Sequence, residues 1–269
     1  MKIEPYLRRI GWNGPVKANL ESLRHLQEQH LLHIPFENLD VIRAVWIPLD
    51  VETYYNKIVR NDRGGFCYEL NGLFNWLLQN LGFTSRLASA TVRRPDGGWT
   101  MMGSHACLIV DLEQPYLVDV GFGDSVRVPL PLSGEERKDV SGVYRLKKVG
   151  DKDFDLQKSQ GNAGWKTLYR LHTSRRTLSD FKEACRFNQT SSESHFTARP
   201  LVSLAAPEGR LTLSGNKLTI TGLNEKRKIT IDDQKMAAVL KQYFGIRLVP
   251  STKVCEEKKV NDVNRGKMN

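Results

Sequence analysis

The chain has 269 residues, of which 40% are hydrophobic and 26% charged, with a formal net charge of +10. That balance belongs to a soluble globular protein and excludes a disordered chain. No apolar run approaches the roughly 20 residues needed to span a bilayer, and Met1–Pro5, with an early acid and a proline, lacks the apolar core of a secretory leader. Four cysteines (Cys67, Cys107, Cys185 and Cys255) are too sparse and irregular for a disulfide scaffold or a paired zinc site. Reduced thiols in a cytoplasmic protein without a metal are therefore expected. Basic and acidic residues balance in 1–83, whereas 84–200 carries an excess of +4 and 201–269 an excess of +6. Such a bias suits a nucleic acid, an anionic membrane or a phosphorylated cofactor. No basic helix with interleaved aromatics and no nucleic-acid motif accompanies it, so neither nucleic acid nor membrane is expected as a partner.

Residues 1–83 read as mostly helical. Asn19 can cap a helix whose apolar face is marked by Leu20, Leu23, Leu26 and Leu31, and an extended break follows at His33–Phe36. Leu70, Leu73, Phe74, Leu77, Leu78 and Leu81 then keep a helical period, with Gly82 as its stop. This helix begins at or just after Cys67. From about residue 84 the period becomes that of strands. The runs 86–92, 105–112 and 116–122 are separated by turn clusters at Pro95–Gly98 and Glu113–Pro115, and further strands are expected around 144–149 and 165–171. A small antiparallel barrel or sandwich would pack them. In the last third, 210–213 and 217–221 flank Ser214-Gly215-Asn216 as a hairpin, and 228–231 is another strand. Asp232 or Asp233 can cap a helix carrying Met236, Val239, Leu240, Tyr243 and Phe244, ended by Gly245. The polar tail from about Ser251 is expected to fray.

Cys67 lies in Arg63-Gly64-Gly65-Phe66-Cys67-Tyr68-Glu69-Leu70-Asn71, a glycine turn that opens into the amphipathic helix. A thiol there feels the positive end of the helix dipole, and the unpaired N–H groups that favour a thiolate could also hold an oxyanion. A buried cysteine that merely fills space is the other reading of these residues. A nucleophilic thiol needs an oriented base. Of six histidines, only His105 heads a buried strand with an acid on its neighbour. With a hairpin loop of Glu113-Gln114-Pro115, residue 112 faces 116, and His105, Cys107 and Ile109 share a face with Leu117, Asp119 and Gly121, whereas a two-residue loop would put His105 and Asp119 on opposite faces. Asp119, between Val118 and Val120, is unsuited to burial without a partner, so it reads as the group that orients an imidazole. A purely structural His–Asp pair is the alternative. Arg63 and Glu69 read as structural, fixing the glycine turn.

Arg63–Asn71 resembles the RGGxCxExN signature of the arylamine N-acetyltransferases. Ile34–Leu39, the strand headed by His105, and Asp119-Val120-Gly121-Phe122-Gly123 are similar to that family in the same order and spacing, from about Tyr6 to Leu248. The resemblance implies an α+β fold with a papain-like Cys-His-Asp site: a helical bundle in 1–83, an antiparallel β-barrel in 84–200 and an α/β lid in 201–269. Matched residue by residue, it makes Cys67 the nucleophile, His105 its base and Asp119 the orienting acid. Acetyl-CoA would be the cosubstrate, with Met102, Gly103, Ser104 and Ser194 at its contacts. In the last of these segments Ser192 replaces the family's proline, and Glu193 adds a negative charge. A small aromatic amine or hydrazine would be the acceptor, beside Phe36, Phe122 and Gly123, in ping-pong chemistry. Gly121 and Gly123 would let the backbone approach a ligand. The same triad could serve an amide synthase or a hydrolase, and a non-catalytic binding protein could keep the fold.

Overall fold

The computed structural model describes residues 1–124 and 126–248. The tail expected to fray, Cys255 included, lies outside the described residues. Eight α-helices and thirteen strands are found among the described residues, and no helix there is long and apolar enough to cross a membrane.

The first part is helical, as its apolar periods predict. It comprises α1 (Ile3–Arg9), α2 (Leu20–His33), the two-residue strand β1 (Phe36–Glu37), α3 (Leu39–Ile42), α4 (Val51–Tyr55), a π-turn over Asn56–Arg60, and α5 (Cys67–Asn80). Asn19 caps α2, its side-chain oxygen accepting from the Ser22 N–H at 2.9 Å. Gly82, at φ +88°, follows the end of α5 in the left-handed region that only glycine enters freely. Leu70, Leu73, Phe74, Leu77 and Leu78 of α5 are fully buried against Tyr6, Leu23, Leu26 and Tyr54.

The second part is an antiparallel sheet of β2 (Thr84–Val92), β3 (His105–Asp111), β4 (Pro115–Val118), β5 (Leu130–Pro131), β6 (Arg137–Asp139), β7 (Gly142–Lys148), β8 (Asp153–Ser159) and β9 (Trp165–Arg176). Its order is β5-β4-β3-β2-β9-β8-β7-β6, and the sheet curls until β5 lies beside β7, a nearly closed barrel. Strand alternation explains why β3 is buried on both faces. Cys107 and Ile109 point into the barrel with Leu117, Tyr144 and Tyr169, while Ala106, Leu108 and Val110 pack outward in the cluster that holds α5.

Two sequence expectations need correction here. The β3–β4 loop is Leu112-Glu113-Gln114, because Asp111 pairs with Pro115, Val110 with Tyr116 and Ile109 with Leu117. Proline, with no N–H to donate, fits the first position of a strand. The slip is two residues, so the parity that puts His105 and Asp119 on one face survives. Strand β4 also stops at Val118 rather than continuing to 122. The chain leaves the ladder at Asp119, whose Oδ1 accepts from the Gly121 N–H at 2.9 Å, an Asx-type turn.

After β9 the chain returns to the helical core through a 3₁₀ turn over Leu178–Phe181, α6 (Lys182–Thr190) and α7 (His195–Ala198), which bury Phe181, Cys185 and Phe196 there. The last part is β10 (Leu201–Ala206), β11 (Gly209–Ser214), β12 (Lys217–Thr221), β13 (Lys226–Thr230) and α8 (Met236–Phe244). The strands form a second antiparallel sheet whose edge is completed by β1, in the order β1-β10-β11-β12-β13. Helix α8 covers one face, with Val239, Leu240 and Phe244 against Val202, Leu213 and Leu218. Neither aspartate caps it as expected. Asp232 precedes a 3₁₀ turn over Asp233–Lys235 with no side-chain cap, and the α-helix starts at Met236. Gly245, at φ +69°, ends it as the sequence suggests.

The turn before α5 is fixed by a buried charge cluster. The Arg63 guanidinium lies 2.7 Å from Glu37 and 2.9 Å from Asp40, and the Lys57 ammonium lies 2.8 Å from both Asp40 and Glu69. Glu69 Oε2 accepts from the Phe66 N–H at 3.0 Å. Burial works against the charge of Lys57 and Arg63, yet the facing carboxylates raise the pKa of both above its ordinary value. Burial pushes Glu69 up to about 7, with Lys57 offsetting part of the effect. Gly64 is required by space, since a Cβ there would stand 2.0 Å from the Pro35 carbonyl oxygen. Arg63→Ala leaves Glu37 and Asp40 short of a counter-charge inside the protein. It should cost about 3–5 kcal/mol in chemical denaturation, whereas a loss near that of a surface ion pair would show the cluster to be solvated.

Candidate active site

Helix α5 brings Cys67 to the junction of the helical part and the barrel as the first residue of its first turn, after Phe66 in extended conformation. The N–H groups of that turn have no intrahelical acceptor, and the helix dipole adds positive potential. Strand β3 supplies His105 at its first position, and the turn after β4 supplies Asp119. All three side chains are buried. His105 Nε2 lies 2.7 Å from Asp119 Oδ2, and a side-chain hydrogen bond links the ring to Cys67. With Nε2 given to the carboxylate, Nδ1 is the nitrogen left for the thiol.

The carboxylate of Asp119 is fully engaged. Besides His105, its Oδ2 accepts from the Tyr169 hydroxyl at 2.9 Å, and its Oδ1 accepts from Asn71 Nδ2 at 3.0 Å and from Gly121 N–H. Burial alone would raise its pKa, but the charge and hydrogen bond of His105 outweigh it and hold the carboxyl below its usual range. Burial likewise presses the imidazole toward its neutral form. Asp119 prevails and lifts the His105 pKa to about 10, so the ring is an imidazolium at neutral pH. The other two described thiols differ: burial drives Cys107 well above its ordinary value and Cys185 up to about 12. The Ser104 carbonyl sits beside Cys67 and accepts from the Tyr68 hydroxyl at 2.9 Å and from Asn188 Nδ2 at 3.1 Å.

Cys67 and His105 open onto a cavity of about 600 Å³. Phe36, Phe122, Gly123, Ser104 and Ser194 line it, as does Met101. The Phe122 ring packs edge-on against His105 at 5.3 Å and against Tyr169 at 5.1 Å. Ser104 Oγ is 2.6 Å from Thr100 Oγ, and Ser194 Oγ bonds to the Asn188 carbonyl, so both hydroxyls brace the wall. Met102 and Gly103 line a different cavity, of about 650 Å³, on the far side of the same loop. The site expected from sequence is therefore split, with these two residues outside the Cys67 cavity. Gly121 lines the Cys67 cavity too. A Cβ there would lie 2.6 Å from Asn71 Nδ2 and 2.8 Å from the Cys67 Cα, so the close approach it permits is to α5.

Several residues of the site were not singled out in the sequence. Tyr169 is one, although a tyrosine buried in a strand needs a hydroxyl partner and so advertises a polar neighbour. Asn188, Ser203, Thr212 and Arg210 are others. Arg210 lines the cavity, donates to the Gly123 carbonyl and pairs with Asp124 at 3.1 Å. His195 also lines the cavity, as does Glu193. Among the described residues no group of three or more His, Cys, Asp or Glu side chains is placed to hold a metal ion.

Comparison with known proteins agrees with this arrangement. The sequence pattern of an N-acetyltransferase family matches residues 19–253. The chicken arylamine N-acetyltransferase, pineal gland isozyme NAT-10, is 31% identical over 92% of this chain and 95% of its own. The arylamine N-acetyltransferase of Escherichia coli K12 is 32% identical over 90% of this chain and 87% of its own. The structure of an arylamine N-acetyltransferase from Bacillus cereus, which has a Cys-His-Glu catalytic triad, superposes with a TM-score of 0.86. It is 26% identical, over 91% of this chain and 98% of that one. With the family pattern covering most of its length and relatives matching nearly end to end, the chain belongs to the arylamine N-acetyltransferase family.

Proposed function

We propose that the protein transfers the acetyl group of acetyl-CoA to an arylamine or arylhydrazine through an acetyl thioester on Cys67. The observation that carries this reading is the meeting of the Cys67 thiol with the buried His105–Asp119 pair at one cavity. The Cys67 thiol proton resides on His105 Nδ1, in the imidazolium that the Asp119 carboxylate stabilises, which leaves the sulfur as the nucleophile. The thiolate attacks the acetyl carbonyl carbon, while the free N–H groups at the start of α5 face the developing oxyanion. The carbon–sulfur bond to CoA breaks, and the CoA sulfur leaves with the proton held by His105. The acceptor nitrogen then attacks the thioester, passes its proton to His105 and expels the Cys67 thiolate.

The cavity suits such an acceptor. Phe36 and Phe122 offer apolar faces to an aromatic ring, and Gly123 keeps the wall between them thin. An aryl nitrogen is unprotonated at neutral pH and can attack without first losing a proton. CoA and the small acceptor are the partners this reading takes, in the cytoplasm and without a metal.

Incubating the protein with acetyl-CoA alone and weighing it intact should reveal a single added acetyl group. The adduct should be missing in Cys67→Ala and should disappear when an aromatic amine or hydrazine is added. A folded, reduced protein that neither gains the group nor releases CoA would overturn the proposal.

The charge state of His105 is separately measurable. An imidazole of the unfolded chain titrates near 6.5 and the folded one at about 10, so the folded protein holds the extra proton between them. The stabilisation from that proton is complete below about pH 6.5 and disappears as pH rises through about 10. The His105 ring resonances should titrate near the upper value, and Asp119→Asn should bring the midpoint down by more than one unit. Acetylation in that variant should fall by several orders of magnitude, since the ring loses both its counter-charge and its tautomer.

A further inference from the structure

The barrel carries a second set of hydroxyl, imidazole and carboxylate on its outer face. Side chains of β2 alternate, with Ala88 and Ala90 in the barrel core and Leu87 outward in the helical core, so Ser89 points outward. Its register partner on β9 is His172, and the partner of His172 on β8 is Asp153. The three groups therefore stand in one row across adjacent strands. All three line the cavity of about 650 Å³ that Met102 and Gly103 border. His105 pairs instead with Ala90, whose side chain turns inward, so the two histidines serve opposite faces of one sheet.

His172 is a base oriented from behind. Its Nδ1 lies 2.9 Å from Asp153 Oδ1, which fixes the Nδ1–H tautomer and leaves Nε2 as the free base of the ring. Register partners on neighbouring strands have Cβ atoms about 4.5–5.5 Å apart, a gap that an imidazole bridges to a serine hydroxyl. Ser89 is 9% exposed, and its Oγ has no hydrogen-bond partner among the described residues. A contact of this kind between hydroxyl and ring tightens when substrate binds. Strand β9 bulges just beyond His172, since Leu87 pairs with Arg176 rather than with residue 174. The bulge brings Arg176 to the same cavity. The turn Met101–Ser104 crosses over the serine. A Cβ on Gly103, at φ +68°, would stand 3.8 Å from the Ser89 Cβ. The Met102 N–H in that turn has no acceptor among the described residues.

We propose that Ser89, His172 and Asp153 form a second catalytic site, a serine hydrolase for small uncharged carboxylic esters. His172 Nε2 takes the Ser89 proton as Oγ attacks the ester carbonyl carbon, and Asp153 stabilises the imidazolium. The Met102 N–H and the Arg176 guanidinium are the donors available to the oxyanion. The bond from the acyl carbon to the alcohol oxygen breaks, the alcohol leaves with the proton from His172, and the acyl group stays on Ser89. Water then gives a proton to His172 as its oxygen attacks the acyl carbon, and Ser89 Oγ departs with that proton. Met101, Met102 and Phe181 give the cavity apolar walls, while Arg176 and Lys182 are offset by Asp180 and Glu183, which favours a substrate without charge. None of the three residues lines the Cys67 cavity, so this activity needs nothing of the acetyl-transfer reading.

In the Cys67→Ala protein the nucleophilic thiol is gone, and p-nitrophenyl butyrate should still be hydrolysed at least about tenfold faster than in buffer. A fluorophosphonate, which traps activated serines, should label that protein at Ser89, as located by peptide mass spectrometry. Adding Ser89→Ala should abolish both the hydrolysis and the label. His172→Ala or Asp153→Asn should each lower kcat at least about tenfold while KM stays within about twofold, a split that a merely structural pair would not produce. The thermal midpoint reports folding of every variant. Hydrolysis that survives Ser89→Ala, or a folded Cys67→Ala protein that the fluorophosphonate leaves unlabelled at Ser89, would overturn the proposal.

Discussion

The burial of the Asp119 carboxylate organises the junction between helices and barrel. An ionised carboxylate removed from water is unfavourable unless nearly every lone pair is answered. Its donors here come from four places: His105 on β3, Tyr169 on β9, Asn71 on α5 and the Gly121 backbone N–H. Asn71 also gives its other Nδ2 hydrogen to the Ala106 carbonyl and accepts from Val120 N–H through Oδ1. One charged group thereby fixes the seating of α5 on the barrel, and with it the distance between a thiol on the helix and an imidazole on the strand. Shape makes the same demand, because Gly121 is the gap into which the first turn of α5 fits.

A second buried array, Arg63 with Glu37, Asp40, Lys57 and Glu69, stands at the turn before α5 and uses similar groups for a different purpose. Its charges are cross-paired, and every partner is a side chain or a backbone group of the same turn region. Nothing in it opens onto the cavity. It sets the path of the backbone into α5, whereas the Asp119 array sets the protonation of the ring that faces the thiol. Acid and base side chains close together in sequence thus divide between holding a turn and tuning an imidazole, according to which of them border open space.

Much of this was legible in the sequence because strong local signals coincided. The 3.6-residue period of α5, the Asn19 cap and the Gly82 and Gly245 stops follow from side-chain spacing and backbone freedom alone. The shared face of His105 and Asp119 depended only on parity, so it survived a two-residue error in the hairpin loop. Elements of weak local signal were missed, including the short strands β5 and β6, the strands β8 and β10, and the helices α3, α4, α6 and α7. Contacts between distant segments were equally hidden. Tyr169 bonds to Asp119 across 50 residues, and Ser203 meets the Gly123 carbonyl across 80. Only tertiary packing decides such pairs. Met102 and Gly103 face a cavity other than that of Cys67, since proximity along the chain to His105 does not fix the side of the loop on which a residue emerges.

The pairing of Phe36 with Ser203 has a consequence for how the protein is made. A chain emerging from the ribosome presents Cys67 early, together with the helices that shelter its flank. Strands β10 and β11, which complete the cavity wall, are translated only after the whole barrel. Long-range strand pairing of this kind is slow and cannot begin until both partners exist. A chain ending before β10 would hold a thiol at a helix terminus without that wall. The cavity is therefore completed well after its nucleophile is made, and a chain ending before β11 would keep Cys67, His105 and Asp119 while lacking Arg210 and Thr212 of the wall.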